Sequence, residues 1–99
     1  MNELTKHIAQ IRQLCGSNNV KSLFAFGSVL SEDFRMESDI DLIVDIDEKD
    51  PCAYSDSYFN LKFQLEQLFQ RKVDLLEQKA LKNPYLREKL EHTMVRIYG

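Results

Sequence analysis

Cysteine is scarce in this chain of 99 residues, and long apolar runs are absent. Cys15 and Cys52 form no Cys-x-x-Cys pair and have no histidine at zinc-ligand spacing, so we expect two reduced thiols and no zinc site. No stretch approaches the roughly 18 apolar residues that a membrane-spanning helix needs. Residues 1–6 lack the apolar segment of a signal peptide. These absences predict a cytoplasmic protein without membrane contact.

An excess of positive charge is absent as well. Lys and Arg number 13 and Asp and Glu number 16, which gives a formal net charge of −3. Without a basic stripe to neutralise phosphates, direct binding of nucleic acid is not expected. The composition, 43% hydrophobic and 29% charged, is that of an ordinary globular protein. The length predicts a single domain over residues 1–99.

Apolar residues at helical spacing predict helices in the first and middle parts of the chain. The first helix covers residues 3–15, and Gly16 is expected to end it in the left-handed conformation. A short helix is expected over residues 29–34. A long helix covers residues 54–69, with Ser55 or Asp56 as its N-cap. Its aromatic residues are expected to pack it, with adenine stacking as the lesser option; they are Tyr54, Tyr58, Phe59 and Phe63.

Asn83-Pro84 begins a last helix, because an N-cap residue followed by proline is a preferred helix start. That helix is expected to run to about His92. Residues 95–98 fit either a short edge strand or a final helical turn, and the sequence leaves both open.

Alternation marks the clearest strand. From Asp39 to Asp47, the apolar residues Ile40, Leu42, Val44 and Ile46 share one face, and Asp39, Asp41, Ile43, Asp45 and Asp47 share the other. Short apolar runs predict two more strands, over residues 20–26 and 71–76. Residues 50–70 are long enough for a helical crossover between parallel strands. The order predicts an α/β (α+β) fold, a small mixed sheet with helices packed against it.

Two carboxylates of the predicted strand point the same way. Asp39 and Asp41 are two residues apart, so their Cα atoms are roughly 6.5–7 Å apart on one face. Oxygen-only ligands favour Mg²⁺ or Mn²⁺, and phosphoryl or nucleotidyl transfer commonly uses two such ions. Asp74, on the next strand, is the expected third carboxylate and the candidate base for an incoming hydroxyl. The alternative is that Asp39 and Asp41 are solvated charges on an exposed face.

Gly27-Ser28 follows the first predicted strand and precedes the short helix. Backbone N–H groups at such a helix start favour phosphate. Glycine lets the backbone approach closely, and the hydroxyl of Ser28 can donate to a phosphate oxygen. The pair is therefore the candidate phosphate cradle for a nucleoside triphosphate.

Gly27-Ser28, a ten-residue gap and Asp39-x-Asp41, with Asp74 on a later strand, resemble the DNA polymerase β-type nucleotidyltransferase superfamily in its minimal branch. The resemblance covers nearly the whole chain. It implies a polymerase β palm-like fold, transfer of a nucleoside monophosphate from a triphosphate, usually ATP, and metal binding by the three aspartates. It also implies an antitoxin that pairs with a small helical toxin of the HEPN class and adds AMP to a toxin tyrosine.

The segment after Ser28 departs from that pattern. Members of this branch often carry arginines there that meet the triphosphate, whereas residues 29–33 hold no positive charge. Arg35 is the candidate replacement. Three functions therefore stay open: AMP transfer to a hydroxyl on a partner protein, an antitoxin that only occludes its partner, and transfer to a small molecule such as an aminoglycoside. The short chain predicts that a partner, or a second copy in a homodimer, delivers the acceptor.

Overall fold

The computed structural model describes residues 2–27 and 39–99, which build a four-stranded mixed sheet with helices. The elements are α1 (Asn2–Lys6), α2 (Ile8–Ser17), β1 (Val20–Phe26), β2 (Ile40–Ile46), α3 (Pro51–Phe69), β3 (Val73–Glu77), a 3₁₀ turn (Gln78–Ala80), α4 (Pro84–Thr93) and β4 (Val95–Tyr98). The strand order is β3-β2-β1-β4. β1 runs antiparallel to β2 and β4, whereas β2 and β3 are parallel. The predicted fold class and the mixed sheet are confirmed.

The hydrophobic core lies between one face of the sheet and the helices α1, α2 and α3. Alternate residues of β2 supply its centre, and each of them is almost fully buried: Ile40, Leu42, Val44 and Ile46. Leu61 and Leu65 of α3 and Ile11 and Cys15 of α2 cover them. α3 makes the crossover between the parallel strands, as the length of that connection predicts.

The opposite face of the sheet carries the charged half of the alternation. Ile43 shares this face with Asp41 and Asp45 and is only 1% exposed, although it does not belong to the core cluster. Leu90, the one buried residue of α4, lines a small cavity together with Ile43. α4 and the 3₁₀ turn therefore lie on the carboxylate face, across the sheet from α3.

Helix boundaries show where local chemistry overrides periodicity. α3 begins at Pro51, earlier than predicted, and its N-cap is Asp50, whose carboxylate accepts from the amide of Ala53. Ser55 and Asp56 are therefore inside the helix, and the prediction that one of them caps it is wrong. Proline at the first helical position is pre-organised for the helix and loses no needed N–H.

Gly16 does not end the first helix. The helical segment is interrupted at His7, and α2 then continues through Gly16 to Ser17. The left-handed residue is Asn19, with φ of 57°. Asn18 explains the extension, because its amide donates to the carbonyl of Leu14 and to Gln64 of α3.

The start of α4 is as predicted, and residues 95–98, which the sequence left open, form a strand. α4 begins at Pro84 with Asn83 as N-cap, whose side chain accepts from the amides of Tyr85 and Leu86. Val95–Tyr98 is an edge strand that pairs antiparallel with β1. The helix predicted over residues 29–34 lies outside the described residues.

The aromatic residues of α3 divide into two groups. Tyr54 and Tyr58 pack against the core, and the Tyr58 hydroxyl donates to the carbonyl of Leu75 at 2.6 Å. Phe59 and Phe63 are 64% and 63% exposed, so the prediction that they pack the helix is wrong. Periodicity misplaced them because they lie one residue beside the buried stripe of the helix.

Both cysteines are free thiols, as predicted; Cys15 is buried and Cys52 is exposed. Within residues 2–27 and 39–99, the helices are all too short or too polar to cross a membrane.

Candidate active site

The pairing of β2 with β3 brings two predicted carboxylates side by side. Asp41 and Asp74 are direct partners in the parallel register. Residues opposite each other in neighbouring strands point to the same face, about 4.8 Å apart. Val73 and Leu75 are buried while Asp74 is exposed, so its side chain lies on the face away from the core. Asp39 directly precedes β2 and is exposed.

Gly27 adjoins the same carboxylate from the other side. β1 pairs Phe26 with Asp41, and Gly27 follows with φ of 74°. A Cβ built at Gly27 would lie 2.6 Å from Oδ2 of Asp41. The glycine therefore meets two requirements, a left-handed backbone and the close approach of a carboxylate.

The negative charges of Asp39 and Asp74 act on Asp41. Burial raises the pKa of Asp41, and the charges of Asp74 and Asp39 raise it further. Like charges that repel one another are relieved by a cation, and a set of carboxylate oxygens suits Mg²⁺ or Mn²⁺. The chemistry of these oxygen donors therefore suits a divalent ion.

In the part of the chain that the structure describes, no group of three or more His, Cys, Asp or Glu side chains has the spacing of a preformed metal site. The assignment of Asp39, Asp41 and Asp74 as metal ligands stays a prediction, in which triphosphate oxygens supply further ligands.

The start of β3 is held by contacts that the sequence analysis did not anticipate. Glu66 of α3 accepts from the amide of Val73 at 3.0 Å, and the amide of Ile40 donates to the carbonyl of Lys72 at 3.1 Å. These bonds fix the residues just before Asp74 and Asp41. A glutamate near the end of an amphipathic helix gives no sequence signal for this role, because exposed glutamates are common there.

The predicted phosphate contacts are placed only in part. Gly27 lies beside the carboxylates, whereas Ser28 and Arg35 fall outside the described residues, so their roles stay predictions. Asp45 shares the carboxylate face, but it lies four residues after Asp41 and lines a separate cleft. It does not join the trio.

Comparison with known proteins gives the family. The sequence pattern described as "Polymerase beta, Nucleotidyltransferase" matches residues 9–99. The chain belongs to this family. A protein of Methanocaldococcus jannaschii, described as a candidate protein adenylyltransferase, is 36% identical over 78 residues, which cover 79% of this chain and 77% of that protein. The predicted identification as a minimal nucleotidyltransferase is confirmed, and the chain is a nucleotidyltransferase by family.

Solved structures share the fold. A candidate minimal nucleotidyltransferase is 28% identical, with a TM-score of 0.77 over 93% of this chain and 90% of the other. A chain from the complex of a tri-AMPylated Shewanella oneidensis HEPN toxin with an MNT antitoxin is 20% identical, with a TM-score of 0.65 over 96% of this chain and 71% of that chain. At that identity the second likeness shows the fold alone.

Proposed function

We propose that this nucleotidyltransferase moves AMP from ATP to a hydroxyl on a partner protein, and that Mg²⁺ supports the reaction. The observation that carries the proposal is the register that makes Asp41 and Asp74 neighbours on the sheet face opposite the core, with Gly27 against Asp41. Two carboxylates beside a glycine turn provide both ion ligands and room for phosphate.

The aspartates and the glycine turn have different roles in the proposed reaction. Asp39, Asp41 and Asp74 would hold the ions, and the backbone at Gly27-Ser28 would receive the phosphates, with Arg35 as a further phosphate contact. The ions, when bound, neutralise charge on the triphosphate and polarise the phosphorus that is attacked. The acceptor oxygen forms a bond to the α-phosphorus, the bond to the bridging oxygen breaks, and pyrophosphate leaves. Asp74 takes the hydroxyl proton.

The proposed partner is a HEPN-class toxin, for which this chain would be the antitoxin. The support comes from the relative described as a protein adenylyltransferase and from the fold shared with a chain of the complex that contains an AMPylated HEPN toxin. The AMP groups on the toxin of that complex support ATP as the nucleotide. The proposal places the reaction in the cytoplasm, where ATP is supplied.

Intact mass spectrometry of a co-expressed HEPN-class partner tests the proposal. We expect the partner to gain the mass of one or more AMP groups with wild-type protein and none with Asp41→Asn. Asp45→Asn is the matched control, since it removes a charge from the same strand and the same face outside the trio. An unmodified partner, or full modification by Asp41→Asn, contradicts the proposal.

An antitoxin that acts by occlusion alone is the second candidate, favoured by the lack of positive charge in residues 29–33. It predicts that a variant with Asn at positions 39 and 41 still neutralises the toxin in cells, with no mass change on the partner. Loss of neutralisation in that variant, with normal binding of the partner, would exclude occlusion.

A further inference from the structure

A second feature of the carboxylate face lies at the far ends of the parallel strands. An open cleft of about 410 Å³ is lined by Asp45, Gln78, Lys79, Leu81, Lys82 and Arg87. Asp45 follows Asp41 by four residues, so the cleft is about 13 Å along the strand from the carboxylate trio. Neither the metal ligands nor the glycine turn contributes to it.

Among the described residues that line the cleft, three are cations and one is a carboxylate. Lys79 lies 3.9 Å from Glu77, and Arg87 lies 3.2 Å from Glu91. The Lys79 ammonium also lies 3.6 Å from the centroid of the Tyr54 ring of α3, and Glu77 accepts from the Tyr54 hydroxyl, so Lys79 is already engaged. The pair of Arg87 and Glu91 is exposed, and exposed ion pairs stabilise a protein by little, so an incoming carboxylate can replace Glu91. Lys82 is exposed and, among the described residues, has no carboxylate within 4.0 Å. Asp45 is the one acidic residue of the lining.

Two exposed apolar side chains directly precede Arg87 on the first turn of α4. Tyr85 is 85% exposed and Leu86 is 45% exposed. The side chain of Asn83 accepts from both of their amides, which fixes the turn that presents them. Tyrosine and arginine are the residue types that most often dominate protein–protein binding, particularly where an apolar anchor is ringed by polar groups.

The position of α4 selects this surface over the other exposed aromatic pair. α4 lies on the carboxylate face, because Leu90 and Ile43 line one cavity, whereas Phe59 and Phe63 project from α3 on the other side of the sheet. A protein bound to α4 therefore lies on the same face of the sheet as Asp74. A protein bound only to Phe59 and Phe63 has the sheet between itself and the carboxylates.

We propose that Lys82, Tyr85, Leu86 and Arg87 form an acceptor-docking surface, which binds an acidic segment of the acceptor protein together with one apolar anchor. The inference rests on the proposed function for the identity of the partner as acceptor. Carboxylates of the segment pair with Lys82 and Arg87, and the apolar anchor packs on Tyr85 and Leu86. A nucleic-acid backbone is disfavoured, because Asp45 lines the cleft and the chain carries a net charge of −3.

Isothermal titration of a purified HEPN-class partner tests the surface without catalysis. All variants are made in an Asp41→Asn background, so that no AMP is transferred. We expect the Kd to rise at least tenfold for Lys82→Glu and for Tyr85→Ala, and the affinity for the partner to fall with added NaCl. Lys6→Glu is the charge control and Phe59→Ala the aromatic control, both exposed and on other helices, and both should leave the Kd unchanged. Circular dichroism verifies that each variant is folded.

The transfer reaction supplies the second measurement. In the catalytically intact chain, Lys82→Glu should raise the KM for the partner at least tenfold and leave the KM for ATP unchanged. Binding that is lost in the two surface variants, with no AMP on the partner in any variant, refutes the proposed function and supports the surface. Three outcomes would overturn the docking surface. They are AMP transfer by Lys82→Glu with an unchanged KM for the partner, a loss of affinity only in Phe59→Ala, and a partner that does not bind the parent chain.

Discussion

Gly27 combines a backbone requirement with a steric one. Its φ of 74° is costly for any residue with a Cβ, by about 1–2 kcal/mol. The added methyl group of Gly27→Ala would lie 2.6 Å from Oδ2 of Asp41, so the carboxylate must turn away. We expect this variant to lose about that free energy of unfolding in urea titrations and to lose AMP transfer almost completely.

Gly16→Ala is the matched control for a glycine that needs neither property. Gly16 lies inside α2, and an added Cβ would meet only the Tyr98 hydroxyl oxygen, at an ordinary 3.8 Å. Alanine should therefore stabilise the chain by about 0.5–1 kcal/mol. Unchanged transfer activity in Gly27→Ala would show that the close approach of Gly27 to Asp41 is not needed for the reaction.

The two cysteines predict opposite reactivity. Burial raises the pKa of the Cys15 thiol from 9.0 to about 12, whereas Cys52 is exposed on α3. In native protein at pH 8, iodoacetamide should label Cys52 alone, and in urea it should label both, as peptide mass spectrometry can verify. Rapid labelling of Cys15 in the native state contradicts its burial.

The same thiol sets a pH dependence of stability. The neutral form is favoured in the folded state, so this contribution is fully present below pH 9 and is lost as pH rises through about 12. The free energy of unfolding should therefore fall more steeply above pH 9 in the wild type than in Cys15→Ala. Parallel slopes for the two proteins would show that Cys15 does not contribute.

At the scale of elements, the chain's periodicity predicts β2 and its two faces, because a half-buried strand repeats every two residues. It also predicts the carboxylate pair, since parallel pairing through a helical crossover places Asp74 beside β2. What periodicity misses depends on single contacts. The start of α3 depends on Asp50 and Pro51, and the extension of α2 on the amide of Asn18. The support from Glu66 needs a tertiary pairing that no local pattern shows.

The support that α3 gives β3 predicts the effect of changing Glu66. Glu66→Gln keeps an oxygen that can accept from the amide of Val73, whereas Glu66→Ala leaves that part-buried amide without an acceptor. An unsatisfied group of this kind costs about 1–3 kcal/mol. We expect Glu66→Ala to lose that stability in urea titrations and to transfer AMP more slowly, with Glu66→Gln close to wild type. Equal effects of the two variants would contradict the hydrogen bond.

α4 should be less stable than α3, because Leu90 is the one buried residue of α4. Leu90→Ala should release α4 locally, with faster hydrogen exchange of its amides, at a cost of about 2 kcal/mol. Leu65→Ala removes the same group from the fully buried side of α3 and should lower the global stability by about 3–5 kcal/mol. Faster exchange throughout the sheet in Leu90→Ala would contradict local release.

For the whole molecule, the sheet separates the apolar core on one face from the charged residues on the other. The face under α1, α2 and α3 buries the apolar core, and the opposite face carries Asp39, Asp41 and Asp74 at one end and Lys79, Lys82 and Arg87 at the other. The acidic end repels itself without a cation, so the arrangement that suits catalysis reduces stability. This repulsion is small compared with the stabilisation from the buried core, since like charges opposite each other in a sheet cost about 0.2–1 kcal/mol.

If the trio binds Mg²⁺ as proposed, the stability of the fold depends on Mg²⁺, and this dependence can be measured apart from activity. Asp41→Asn removes repulsion from both neighbours, so its Tm without divalent ions should exceed that of the wild type by a few degrees. Mg²⁺ at 100 times its Kd should stabilise the wild type by about 2.7 kcal/mol and have little effect on Asp41→Asn. Asp45→Asn, on the same face outside the trio, should respond to Mg²⁺ as the wild type does. An equal rise of Tm in Asp41→Asn would show that the ion binds elsewhere, and the aspartate trio would lose its assignment as the metal site.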